Sequence, residues 1–231
     1  MSMKQLDSVS AKDMKKFEMD KSGRSHIPSV EIAEETRLWA PLHRLFLDYI
    51  ANKTAVENMT SKFCELFSES LEKQPKGQWA TVQLYTFLQA EIAESAITAL
   101  AGREILKQNP GFVEALWNFD KNIFPMLLGV PRLIYGRAYA ARDAFHEMGE
   151  KWLKSVWEKY DWNSPNLDWE PLFGSRYVRV HSKFLRERDF DLRSQAGLLL
   201  GAIWAYVYFD PNQLSRNSVD ILTVQTLTRF Q

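Results

Sequence analysis

Glu91-Ile92-Ala93-Glu94-Ser95-Ala96-Ile97-Thr98-Ala99-Leu100-Ala101-Gly102 decides the fold class. With Val82, Leu84, Tyr85 and Leu88 before it, its apolar residues recur at helical spacing and wrap most of the surface. That pattern predicts a helix over Trp79–Leu100, stopped by Gly102 and surrounded by other helices. Working outward, a helix from about Ala55 to Glu72 precedes it, with Phe63, Leu66, Phe67 and Leu71 on one face and Pro75-Lys76-Gly77 as its end. Before that, Ser29 is read as the cap of a helix that begins with Glu31, Glu34 and Glu35 and continues through Leu38, Leu42, Leu45, Phe46, Tyr49 and Ile50. Pro41 imposes a kink or a break within it. After the central stretch come a helix from Gly111 to about Phe124, a proline-bracketed apolar loop over Pro125–Pro131, and a long helix from Tyr135 to Tyr160. A loop over Asn163–Pro171 and a turn at Phe173-Gly174-Ser175-Arg176 lead to a last helix from Leu192 to Tyr208. Alternating strand patterns are nearly absent; residues 219–227 form the one candidate. No repeat of fixed period occurs. The class is mainly α.

Composition narrows the function. The 231 residues suffice for one sizeable domain. Hydrophobic residues make up 45% and aromatic ones 13%, which implies a bulky core or an apolar surface meant for something else. Lys+Arg and Asp+Glu balance at 29 each, so the basic footprint of a nucleic-acid binder is missing. The stretch Arg176–Asp189 reads as a solvated face. The one cysteine, Cys64, excludes an internal disulfide; it lies in a helical pattern and reads as a small buried residue. No apolar leader and no membrane-length apolar stretch appear, the longest being Ala196–Phe209. A cytoplasmic chain, or one peripheral at the endoplasmic reticulum, is expected.

No catalytic motif emerges. Nucleophile-elbow, phosphate-loop, dinucleotide-loop and metal-helix signatures are missing. The four histidines, His26, His43, His146 and His181, show no i, i+3 or i, i+4 pairing and read as surface or hydrogen-bonded residues. Glu91, Glu94, Asp143, Glu147 and Glu150 stand at helical spacing near Arg142 and Lys151, so ion pairs are expected of them.

Three ordered segments carry a resemblance. They are Ala93–Gly102 followed by Asn109-Pro110-Gly111-Phe112; Trp117-Asn118-Phe119-Asp120 through Leu128-Gly129-Val130-Pro131-Arg132 to Ala140-Ala141-Arg142-Asp143; and Phe173-Gly174-Ser175-Arg176 leading to Leu199-Leu200-Gly201-Ala202-Ile203-Trp204-Ala205. In this order they resemble the middle of a cytochrome P450, of the fungal branch related to sterol 7α-hydroxylases and prostacyclin synthase. The resemblance covers about residues 30–205. It implies a partial P450-like helical fold, from the C helix to the first half of the I helix. The chain then divides into a polar, loosely ordered segment 1–28 with room for one short helix, a P450-like region 29–205, and a divergent tail 206–231.

The resemblance also implies roles. Trp39 and Arg44 are candidates to touch a haem propionate, although the spacing departs from the family's Trp-x-x-x-Arg and a packing role for Trp39 stays open. Trp204 and Ala205 are candidates for the haem face. Phe124, Met126, Leu127 and Leu128 fall where such proteins carry the roof over the substrate, or pack as ordinary core. Glu34-x-x-Arg37 matches a family pattern at the wrong end. The family implies haem, oxygen insertion into a lipophilic terpenoid, steroid or other secondary-metabolite substrate, and contact with a membrane surface or protein partner. The thiolate loop has no counterpart here, and Cys64 lacks the glycines that surround such a ligand. The chain is therefore expected to be inactive alone and not to hold haem stably. The alternative is a non-enzymatic helical protein that binds a partner or a membrane surface.

Overall fold

The computed structural model describes residues 8–73 and 83–207. The helices are α1 (Ala11–Met19), α2 (Trp39–Phe46), α3 (Lys53–Glu72), α4 (Leu84–Ala101), α5 (Glu104–Gln108), α6 (Phe112–Leu127), α7 (Gly136–Lys159), α8 (Arg176–Glu187) and α9 (192–207). Two two-residue strands, β1 (Trp169–Glu170) and β2 (Gly174–Ser175), pair antiparallel. The fold is mainly α, as the periodicity predicts. The possible strand at 219–227, Trp79, Val82, the Pro75–Gly77 stop and most of the 206–231 tail lie outside the described residues.

Helix α4 is central because its last three turns are small and apolar on every side. Ala93, Ala96, Ile97, Ala99 and Ala101 are fully buried. Its end is closed by the β hairpin. Trp169 Nε1 donates to the carbonyls of Thr98 (3.2 Å) and Ala99 (3.0 Å), and Ser175 Oγ donates to Leu100 O (2.8 Å). The Ala99 and Leu100 carbonyls are among those that a helix leaves unpaired at its C-terminus, while Thr98 O also accepts from Gly102 N–H (2.9 Å). The two backbones touch at a pair of glycines, both with positive φ, Gly102 (84°) and Gly174 (71°). A Cβ on Gly102 would meet Pro171 O at 2.5 Å and Gly174 N at 2.7 Å, so neither position has room for a side chain.

Helices α6 and α7 form an antiparallel pair over this core. Phe145 meets Phe112 at 5.1 Å and Phe119 at 5.3 Å between ring centroids. Pro125 does not start a loop, contrary to expectation; it lies inside the last turn of α6. There a proline forgoes a single backbone bond. The end is set instead by Gly129 (φ 70°): Gly129 N–H donates to Met126 O (3.0 Å) and Val130 N–H to Pro125 O (3.0 Å). This pair of bonds is a Schellman closure.

The N-terminal stretch is packed. From Ser8 it holds α1, and Val9 and Phe17 form a second, smaller core with Leu38, Leu185 and Phe190. Ser29 caps no helix, which corrects the sequence expectation. Its hydroxyl donates to Lys21 O (3.0 Å), and only a single 3-10 turn, Glu34–Thr36, precedes α2. Helix α2 starts at Trp39, where Asp20 Oδ2 accepts from the amides of Leu38 (2.7 Å) and Trp39 (2.9 Å). Pro41 then falls in the first turn and breaks nothing. Burial alone would raise the Asp20 pKa; hydrogen bonds from Ser22, Trp39 and Leu38 outweigh it and hold the carboxyl below its ordinary value.

Helices α1 and α9 meet head to head. Ser10 caps α1, its hydroxyl accepting from Asp13 N, and Asp191 caps α9, accepting from Ser194 N (2.7 Å). The third residue of each helix then serves the other one: Ser10 N–H donates to Ser194 Oγ (3.0 Å) and Asp191 N–H to Asp13 Oδ2 (2.9 Å). In a capping box these second bonds fall within one helix; here they are exchanged between two.

Candidate functional site

The site residues suggested by sequence separate into three places. Trp39 and Arg44, both on α2, do not converge. Five residues on a helix turn through about 140° beyond a full circle, so they face different ways. Trp39 stacks on Phe17 (5.1 Å) in the smaller core, and its Nε1 donates to Phe17 O (3.2 Å). Arg44 is exposed and pairs loosely with Asp48 (3.5 Å). Glu34 and Arg37 do meet at 3.2 Å, but Arg37 also donates to the carbonyls of Ser25 and His26 and to Ser22 Oγ, so it braces the local turn. Cys64 is exposed on α3, not buried as its helical pattern suggested.

Trp204 and Ala205 lie near the end of α9 against the larger core. Trp204 Nε1 donates to Asp120 Oδ1 (2.8 Å) on α6. Both residues line a cavity of about 170 Å³ together with Phe119, Phe145 and Leu200. His146 of α7 also lines it. His146 is 2% exposed and its Nδ1 has no hydrogen-bond partner; burial, with Arg193 and Arg142 nearby, pushes its pKa down to about 4. The sequence suggests a surface or hydrogen-bonded histidine here, and the burial corrects that, because nothing in one sequence shows that its face of α7 packs on α9. The signal was Gly149 three positions on: a Cβ there would meet Leu200 Cδ1 at 2.6 Å, which marks a close helix crossing. Asp143, one turn before His146, gathers Arg142 (2.7 Å), Arg193 (2.9 Å) and Arg132 (3.0 Å), so this carboxylate sits in the ion-paired setting expected of it. Burial opposes its ionisation, but the arginines lower its pKa overall.

The roof candidates divide by face. Met126 is fully buried and Leu127 packs partly against the core, whereas Phe124 (65%) and Leu128 (67%) are exposed. The exposure continues beyond them: Leu133 is 98% and Ile134 74% exposed. Arg132 and Arg137 flank them in sequence, one on Asp143 (3.0 Å) and the other on the Tyr135 hydroxyl (2.7 Å). Single exposed apolar residues are ordinary; here four fall between the end of α6 and the start of α7. No described helix is long and apolar enough to cross a membrane, and no group of three or more potential metal ligands occurs among the described residues.

The chain is 34% identical over 196 residues, 83% of its length, to cytochrome P450 monooxygenase calL of Penicillium decumbens. It is 32% identical over 132 residues to cytochrome P450 monooxygenase fsoE of Humicola fuscoatra, and 26% identical over 168 residues to cytochrome P450 monooxygenase efuG of Hormonema carpetanum. Its relatives are fungal cytochrome P450 monooxygenases. This P450 relative spans 37%, 23% and 30% of those three proteins, covering 83%, 55% and 66% of itself. No family model matches it, and no solved structure does.

Haem is the cofactor that such relatives imply, and the residues suggested by sequence do not converge on a site for it. A haem needs a slot for its macrocycle and donors for its propionates. The indole N–H of Trp39 is already spent on Phe17 O, and Arg44 stands in solvent. Trp39 and Trp204 belong to different cores. The 170 Å³ beside Trp204 and Ala205 falls below the roughly 300 Å³ at which small-molecule sites begin.

Proposed function

We propose that this chain carries the roof and distal helices of a P450-type fold built for a lipophilic substrate, and that by itself it performs no oxygen insertion. The substrate class is terpenoid, steroid or another secondary metabolite, as in the branch related to sterol 7α-hydroxylases and prostacyclin synthase. The carrying observation is the placement of the only cysteine. Thiolate ligation is what favours O–O cleavage in a P450, and Cys64 is exposed on α3 with Phe63 and Glu65 beside it and no glycine near. The test is a carbon-monoxide difference spectrum of the purified chain, reduced after incubation with hemin. No red-shifted thiolate band is expected. Its appearance would overturn the reading.

A second reading, a membrane-surface protein located at the endoplasmic reticulum or in the cytoplasm, is favoured by the α6–α7 tip. Phe124, Leu128, Leu133 and Ile134 present apolar side chains to solvent beside two arginines. That combination suits the headgroup–acyl boundary of an anionic bilayer. The two readings are compatible, since a substrate roof can also rest on lipid.

A further inference from the structure

The cavity between α6, α7 and α9 has the features of a small binding site; Trp204 and Ala205, the haem-face candidates, line it, and it is too small for haem. Its walls are aromatic and aliphatic: Phe119 from α6, Phe145 from α7, and Leu200 and Trp204 from α9. Gly201 also lines it and is exposed, and a Cβ there would meet no atom within 4 Å. The space, about 170 Å³, matches in scale the apolar cavities of about 150 Å³ that accept benzene. Ser8 and His146 are the polar residues of the lining, and His146 is the buried one. His146 is 2% exposed, and its Nδ1 finds no partner among the described residues. A buried acceptor or donor left unpaired is destabilising; a ligand hydroxyl recovers that cost where water has little polar lining to hold it.

We infer that this cavity binds a single-ring phenol, its ring between Phe119, Phe145 and Leu200 and its hydroxyl hydrogen-bonded to His146. An imidazole that stays neutral at physiological pH offers one donor and one acceptor nitrogen, and a phenolic hydroxyl satisfies either. Carboxylates and cations are poor candidates, because no opposite charge lines the apolar walls. The site does not depend on haem chemistry, so its failure and the failure of the proposed function are distinguishable.

The test titrates the full chain with phenol and with benzene, following Trp204 among the other tryptophans by fluorescence and confirming one site by ligand-observed NMR. Phenol is expected to saturate and to bind roughly 2- to 12-fold more tightly than benzene, the range one neutral hydrogen bond supplies. His146→Phe removes the polar partner and keeps a ring; it is expected to erase the phenol preference while benzene still binds. Gly201→Leu adds bulk at the exposed edge of the lining and favours helix; it is expected to keep the far-UV circular dichroism of the parent and to weaken binding of both probes. If neither probe saturates, if both bind the parent equally, or if Gly201→Leu folds and binds phenol unchanged, the inference falls. If His146→Phe fails to fold, the Gly201→Leu variant and the phenol-to-benzene ratio still decide.

Discussion

His181 sits on α8 with both ring nitrogens buried and unpaired, and burial pushes its pKa down to about 4. His146 is depressed to about the same value. Both are neutral in the folded protein, while in the unfolded chain they take up protons below their ordinary value near 6.5. The unfolded state therefore binds more protons between pH 6.5 and 4, and stability falls as pH drops through that window. Each histidine removes about 2 kcal/mol between pH 7 and 5 by this linkage. His181→Leu is expected to raise stability at pH 7 by about 1–3 kcal/mol and to halve the loss between pH 7 and 5; urea denaturation at the two pH values measures both. A variant less stable at pH 7 than its parent would show that the ring is satisfied. At this scale the sequence was least informative. It marked α8 as a solvated face because Arg176, Arg179, Arg186 and Arg188 dominate it. Yet Tyr177, Val178, Arg179, His181 and Leu185 are buried, and Arg179 lies 3% exposed near Glu170 (3.7 Å) and over the ring of Tyr160. Long cationic stems can be buried while their heads find partners, and a charge count does not see this. The same limit hid the exposure of Cys64, since one helical face of α3 is indistinguishable from another until its neighbour is known.

Secondary structure was far more legible. The 3.6-residue period located α3, α4, α6, α7 and α9 to within a few residues, because each buries a broad apolar stripe. Helix α8 received no bounds from the sequence, which offered only a solvated face there; other misses fell at ends, where single residues decide. Pro125 suggested a loop, but the Schellman closure at Gly129 sets the end of α6. Ser29 suggested a cap, but Asp20, far off in sequence, supplies the capping carboxylate to α2. The pieces of the candidate site were read one by one; which of them lie on a common face was not. The tip that α6 and α7 form carries its own prediction. Leu133→Glu with Ile134→Glu is expected to leave the unfolding midpoint unchanged, because both side chains already face water. Binding to phosphatidylcholine–phosphatidylserine vesicles should fall at least about tenfold, since burying each aliphatic side chain contributes roughly 1.5–3 kcal/mol. Unchanged co-sedimentation with vesicles would assign the tip another role.

At the scale of the molecule, two cores share one chain. The larger joins α3, α4, α6, α7 and α9 with the β hairpin; the smaller joins α1 to the start of α2 and the end of α8. The exchanged caps of α1 and α9 tie the N-terminal segment down, and Ser8 O lies against Gly197, where a side chain would collide with it. Removing a helix cap costs about 0.5–2 kcal/mol. Asp191→Ala takes away one cap and its bond to Ser194. Hydrogen exchange is expected to accelerate by roughly tenfold in residues 11–19 and 192–195, the equivalent of about 1.4 kcal/mol, while the amides of Ile97–Ala101 keep their protection. Equal acceleration in both regions would mean that the two cores open as one.

The clasp between Ser10 and Ser194 also sets an order of events as the chain is made. Its partners are 184 residues apart. At a synthesis rate of about 5–20 residues per second, α1 leaves the ribosome roughly 10–40 s before its cap on α9 exists. Phe17 and Val9 have no smaller core to enter until Leu185 and Phe190 arrive as well. Helix α1 thus docks long after it is made, and for that interval its apolar side is open to whatever else binds a nascent chain.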